Sequence, residues 1–158
     1  MNIIRGIGSL PGARFFLFAV SAILLATTGV TRGVAADKPA TVGDLIGAGG
    51  RQLKKDEILK GFAGATIDGA AMGYPDAKFQ MRYAADGTAN GKGLSPQGWA
   101  PISGTWSAND QDQYCQDLKV QGGNQIRGCF FYFMLGDRLF AAQSADKSAS
   151  VYERTLTR

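Results

Sequence analysis

Chemistry in this chain would have to be done by carboxylates. Histidine is absent, which removes serine–histidine and cysteine–histidine nucleophilic catalysis and the commonest ligand of zinc and haem sites. Asp110, Asp112 and Asp117 fall close together, and a pair of acids at a suitable separation is the equipment of glycoside hydrolysis. Acids in turns and on exposed strand faces are more often solvated, so the first two read as turn residues. Asn109 to Asp112 also suggests an oxygen-rich cation loop, but it lacks the glycine and the distal glutamate of an EF-hand. No cofactor or metal is expected from these residues.

The two cysteines, Cys115 and Cys129, are better read as a bridge than as ligands, because no second Cys or His pair exists. If the two segments between Gln113 and Leu135 are neighbouring strands joined by a Gln121-Gly122-Gly123 loop, Val120 opposes Asn124 and Cys115 opposes Cys129. A two-residue Gly-Gly turn would instead set Cys115 against Phe130, so a disulfide requires the longer loop. Along the second strand Phe131, Phe133 and Leu135 share the face of Cys129, and Phe130, Tyr132 and Met134 take the other. A strand apolar on both sides is usually covered on both, and the helix around Ile58, Leu59 and Phe62 is the expected cover for the second face.

The elements that must position these residues begin after a leader. Residues 1–36 carry Arg5 and Arg14, an apolar run from Phe15 to Ala26 and small residues at Val34-Ala35-Ala36, the pattern of a secretory signal peptide cut before Asp37. The run is short of the ~20 residues of a membrane span, which favours cleavage over an anchor and limits membrane contact to the leader before it is removed. The full chain has 17 basic and 13 acidic residues; Arg5, Arg14 and Arg32 lie in the leader, leaving 14 basic groups against 13 acidic ones. That balance shows no basic stripe for nucleic acid.

What remains reads as a flexible or weakly helical segment, 37–52, followed by one β-rich domain, 53–158. Thr41 and Asp44 have capping-box spacing, and Leu53 to Phe62 has one apolar helical face with Gly64 as its stop. Period-two alternation then takes over. Ala65 to Ile67 is a short strand ending at Asp68-Gly69. Lys78 to Tyr83 alternates with Phe79, Met81 and Tyr83 on one face, Asp86-Gly87 is a hairpin turn, and Thr88 to Leu94 returns. Ser95 to Pro101 reads as a loop carrying Trp99, and Ser103 to Ser107, Arg138 to Ala142 and Ser150 to Leu156 are further strands. About eight short strands at regular spacing signal a mainly β fold, an antiparallel barrel or sandwich preceded by one or two short helices.

Leu53-x-x-x-Glu57-Ile58-Leu59, Gly64-x-Thr66, Asp86-Gly87-Thr88, Gly104-x-Trp106, the two cysteines and Gly136-Asp137 follow in order. In this pattern the chain resembles a group of small exported Gram-negative bacterial proteins that share a domain of unknown function. The resemblance spans roughly Leu53 to Leu156 and implies export, a compact β fold after a short helix, and no particular activity. Members place Ser or Thr at the cap of that helix, where this chain has Lys54.

Two classes of function follow. One is a periplasmic or secreted, disulfide-stapled module with a non-catalytic binding or inhibitor role toward an envelope protein or glycan, with Trp99 as its contact residue; the competing and more ordinary role for Trp99 is to fold back and cap the end of the barrel. The alternative is a small carboxylate-dependent hydrolase; the acids' turn positions favour the binding module. Mass spectrometry of protein recovered from the periplasm is expected to show a mature N-terminus close to Asp37; an intact Met1 in a membrane fraction would sink the export reading.

Overall fold

The computed structural model describes residues 38–158; the leader and its cleavage site lie outside the described residues. Two short helices and nine strands follow in the order α1 (Val42–Gly47), β1 (Arg51–Gln52), α2 (Lys55–Phe62), β2 (Thr66–Ala71), β3 (Tyr74–Tyr83), β4 (Thr88–Ser95), β5 (Gly98–Ala108), β6 (Gln113–Val120), β7 (Gln125–Leu135), β8 (Arg138–Ala142) and β9 (Tyr152–Thr157). Each strand from β2 to β9 pairs antiparallel with the next, and β9 returns to β2 through Thr66↔Thr157 and Ile67↔Leu156. The sheet is therefore a closed eight-stranded up-and-down barrel, and of the two β architectures open to the sequence the barrel is the one formed. Closure gives each of the eight strands a neighbour on both sides.

The ninth strand continues the wall. β6 pairs with β7 only as far as Gln113↔Phe131. Beyond that point β1 takes over the same side, with Arg51 opposite Met134, Gln52 opposite Phe133, and the Leu53 N–H donating to the Tyr132 carbonyl at 2.8 Å. The segment 37–52, expected to be flexible or weakly helical, is thus built into the structure from Lys38 on. Thr41 and Asp44 form the anticipated capping box at the start of α1. Val42 and Leu45 of that helix pack on the outside of the barrel against Phe133, Phe140 and Val151.

Alternation decides what lies inside. Met81 and Tyr83 of β3, Ile102 and Trp106 of β5, Tyr114 and Leu118 of β6 and Tyr132 of β7 are buried in the interior. Lys78, Gln80 and Arg82 face out and are exposed. Apolar inside and polar outside is the reverse of the alternation of a lipid-spanning barrel. The two apolar faces of β7 meet different surroundings. α1 seals the outer face, whereas on the inner face α2 reaches only Tyr132, and Phe130 borders open space.

Other expectations need correction. Leu59, assigned to the buried face of α2, is exposed, because Ile58 and Phe62 alone point into the barrel end. β2 does not stop at Asp68-Gly69 but runs to Ala71, carried on by pairing with β3. The Ser95–Pro101 stretch is not a loop. Ser95 and Gly98 already pair, and only Pro96 and Gln97 make the turn. Gly98 there takes a φ of +108°, a conformation that suits glycine. Pro101 sits within β5, where its carbonyl accepts from the Gln121 N–H at 2.9 Å.

Cys115 and Cys129 are bonded directly across β6 and β7, with Cα atoms 4.0 Å apart. The three-residue loop is the one observed: Gly123 N–H donates to the Val120 carbonyl, and Gly122 takes a φ of +72°. Non-reducing peptide mapping should recover this single linked pair and no free thiol. Replacing both cysteines by serine is expected to cost ~2–5 kcal/mol of stability, the usual range for a native bridge in a small disulfide-bonded domain, measured by denaturant unfolding against the oxidised parent.

Candidate functional site

The carboxylates singled out as possible catalysts each have a structural partner. Lys54, at the start of α2, offers no side-chain cap, and Glu57 covers only its backbone N–H, at 2.9 Å. The missing cap comes from the turn between β5 and β6. There Asp112 accepts from the Lys55 N–H at 2.8 Å and from Lys54 Nζ at 3.0 Å. Its φ of +59°, the one non-glycine residue with positive φ among the described residues, turns its carboxylate toward the helix. Asp110 pairs with Lys55 at 2.7 Å, and Asp117 binds Arg127 at 3.0 Å and Gln125. Asn109 closes the turn by accepting from the Gln111 and Gln113 N–H groups.

Hydrogen bonding holds all three acids below the ordinary carboxylate range. The Lys55 side chain does this for Asp110, the Lys55 backbone N–H and then Lys54 for Asp112, and Arg127 and then Gln125 for Asp117. A general acid needs the opposite shift. Among the described residues no group of three Asp, Glu, His or Cys side chains is placed to hold a metal ion.

The site with the more developed geometry is the barrel interior, which sequence reasoning did not single out. One end is filled. Phe62 enters from α2 and its ring lies 4.8 Å from Tyr132, 5.7 Å from Tyr114, 5.9 Å from Tyr83 and 6.2 Å from Trp106. The Trp106 indole N–H is satisfied by the Ala84 carbonyl at 2.9 Å. Burial pushes the hydroxyls of Tyr83, Tyr114 and Tyr132 upward in pKa, so all three stay protonated.

Above this aromatic floor the interior is open. A cavity of about 430 Å³ runs toward the turns at the other end of the barrel, within the size range of small-molecule sites. Its wall is mostly apolar, with Ile102, Leu118, Val120, Ile126 and Phe130 among the lining side chains. β4 turns Ala89, Gly91 and Gly93 inward, and the glycines permit close approach. A Cβ at Gly91 would meet the Gln80 carbonyl and Met81, and one at Gly93, which borders the cavity, would lie 2.8 Å from the Ile102 side chain. Met72, Tyr74 and Leu94 stand around the mouth.

The lining also holds polar groups, Gln116, Gln143 and the exposed Lys78, but its buried charge is Arg154. It is 4% exposed and projects inward from β9 between the rings of Phe79, at 5.1 Å, and Tyr152, at 5.8 Å. Its alternation with Glu153, visible in the sequence from Ser150 to Leu156, was the available signal. Only barrel closure shows that the face of Arg154 is the inner one.

Trp99 lies on the outer wall near the mouth, 52% exposed, with Lys92 Nζ 4.9 Å above its ring. It neither plugs the barrel nor lines the cavity, although its neighbours Leu94 and Ala100 do. Compared with protein-family models, curated proteins and solved structures, the chain matches none of them.

The structural account of Asp112 is open to a direct test. A carboxylate whose folded pKa is depressed stabilises the fold above its unfolded value, near 3.9, and that contribution disappears as pH falls through the lower folded value. Asp112→Ala should lower the melting temperature at neutral pH, with the gap from wild type closing in strong acid. A gap independent of pH would show that the cap is not carried by the charge.

Proposed function

We propose that this protein is an exported, non-catalytic binding module that holds a small apolar molecule inside its barrel. The observation that carries this reading is the asymmetry of the interior: one end packed with five aromatic side chains, the other left as an apolar cavity of about 430 Å³ that reaches the surface. Protein interiors are normally filled to crystal-like density. An empty volume of this size forfeits stability, and it is positioned where a molecule could enter without unfolding the barrel. The disulfide is compatible with an oxidising compartment, which supports the periplasm or exterior as the place of action.

The mouth end also carries three of the large apolar side chains left exposed among the described residues, Tyr74, Trp99 and Ile126. We assign to this rim the contact with an envelope component that delivers or receives the ligand, with Trp99 as its outermost residue. The hydrolase alternative draws no support from Asp110, Asp112 or Asp117, which are spent on structure.

Binding of the neutral dye N-phenylnaphthylamine tests the reading. Its fluorescence should rise with the wild-type protein and saturate at one molecule per barrel. Val120→Trp, which places a large ring in the cavity, should weaken the dye at least about tenfold, or ~1.4 kcal/mol. Trp99→Ala, altering only the outer rim, should leave both the dye affinity and the melting temperature nearly unchanged. Dye binding that survives Val120→Trp would place the ligand elsewhere and sink the cavity assignment.

A further inference from the structure

The cavity is not uniformly apolar, and its one guanidinium specifies more than hydrophobicity. Arg154 is buried with no carboxylate in ion-pair range among the described residues. The acid next to it in sequence, Glu153, faces outward and is committed to Arg138 at 2.7 Å and Lys38 at 3.4 Å. Arg154 Nη1 donates to the backbone carbonyl of Glu153 at 3.1 Å, and its Nε has no acceptor at all. The Tyr132 hydroxyl lies beside the guanidinium. No Asp or Glu lines the cavity.

A guanidinium cannot shed its proton in a protein, so a full positive charge sits in an apolar chamber. The Phe79 and Tyr152 rings orient it but supply no anion. A buried charge without a partner is costly, and this fold makes room for it deliberately. Gly69 on the adjoining strand has no side chain where the arginine crosses, and a Cβ there would lie 2.7 Å from Nη1 and 2.8 Å from Cδ.

We propose that Arg154 anchors the acidic head group of an anionic amphiphile whose apolar tail occupies the cavity toward the mouth. This assignment rests on the binding reading above and names its ligand class. One guanidinium offsets one negative charge, and its planar donors suit a carboxylate. The protonated phenols of the floor are hydrogen-bond donors and add no competing charge. Leu118, Val120 and Ile126, nearer the mouth, offer a surface for an aliphatic tail, and the other cation of the lining, Lys78, is exposed to solvent whereas Arg154 is buried.

The experiment compares decanoate with decanol, which share a tail and differ in the head, by calorimetry or by displacement of the neutral dye. The wild type should bind decanoate about ten- to a hundredfold more tightly, the range for a hydrogen bond to a charged group. Arg154→Gln should abolish that preference while leaving the decanol affinity within about twofold. Equal binding of acid and alcohol by the wild type, or a preference that survives Arg154→Gln, would overturn the anchor and leave the cavity reading standing. Failure of both ligands and of the dye would bring down the two readings together. Should the variant not fold, decanoate labelled with carbon-13 at the carboxyl gives a measurement on the wild type alone. Its bound carboxyl should titrate below the free acid, and a value at or above that of the free acid would overturn the proposal.

Discussion

Phe62 is the contact on which the arrangement of the molecule depends. Its ring sits inside one end of the barrel among Tyr83, Trp106, Tyr114 and Tyr132, contributed by β3, β5, β6 and β7. Aromatic pairs at such separations add to the stabilisation from burial alone. With Phe62 in place α2 must lie across that end, so its N-terminus meets the turn between β5 and β6. That meeting is what lets Asp112 replace the cap that Lys54 cannot supply. The chain leading into α2 is drawn against the exposed flank of β7, where β1 pairs, and α1 then closes the outer apolar surface of β7 and β8.

The two ends of the barrel follow opposite rules. At the Phe62 end, large rings project from adjacent strands and interdigitate. Toward the other end the lining side chains, Ile102, Leu118 and Val120 among them, do not meet across the barrel, and the interior remains open. An eight-stranded barrel is just wide enough either to be filled by side chains or to hold one small ligand, and this molecule does each at a different height. The aromatic floor therefore has two consequences at once: it stabilises the fold and sets the depth of the cavity.

Charge is distributed with the same asymmetry. The ion pairs Lys55–Asp110, Lys54–Asp112, Arg127–Asp117 and Arg138–Glu153 lie on the outside or near the surface, where each contributes little to stability. Arg154 is the exception, a cation held in the wall of an apolar chamber by two aromatic rings and a backbone carbonyl. A glycine on the neighbouring strand accommodates its stem. Its environment resembles a subsite for an anion far more than a support for the fold.

Local patterns were enough to identify most of the parts. Alternation from Lys78 to Tyr83 marked β3 and its inner face, Asp86-Gly87 marked a hairpin, and the arithmetic between Cys115 and Cys129 set the register of β6 on β7. The Thr41–Asp44 box and the apolar face of Ile58 and Phe62 located both helices. These features depend on neighbours in sequence or on one short loop, so the residues themselves carry them. Closure does not: the pairing of residues 66–68 with residues 155–157 joins the two extremes of the domain, and no local pattern distinguishes it from a sandwich edge. The inward face of Arg154, the open volume toward the mouth, the cap supplied by Asp112 and the outward position of Trp99 all depend on that closure. Trp99 looked like a loop residue because Pro96, Gly98 and Pro101 surround it, yet pairing with β4 holds it in a strand. The sequence by itself determined which segments are strands and which faces are apolar. Only the tertiary structure decided which faces enclose a cavity, because an interior belongs to all eight strands at once.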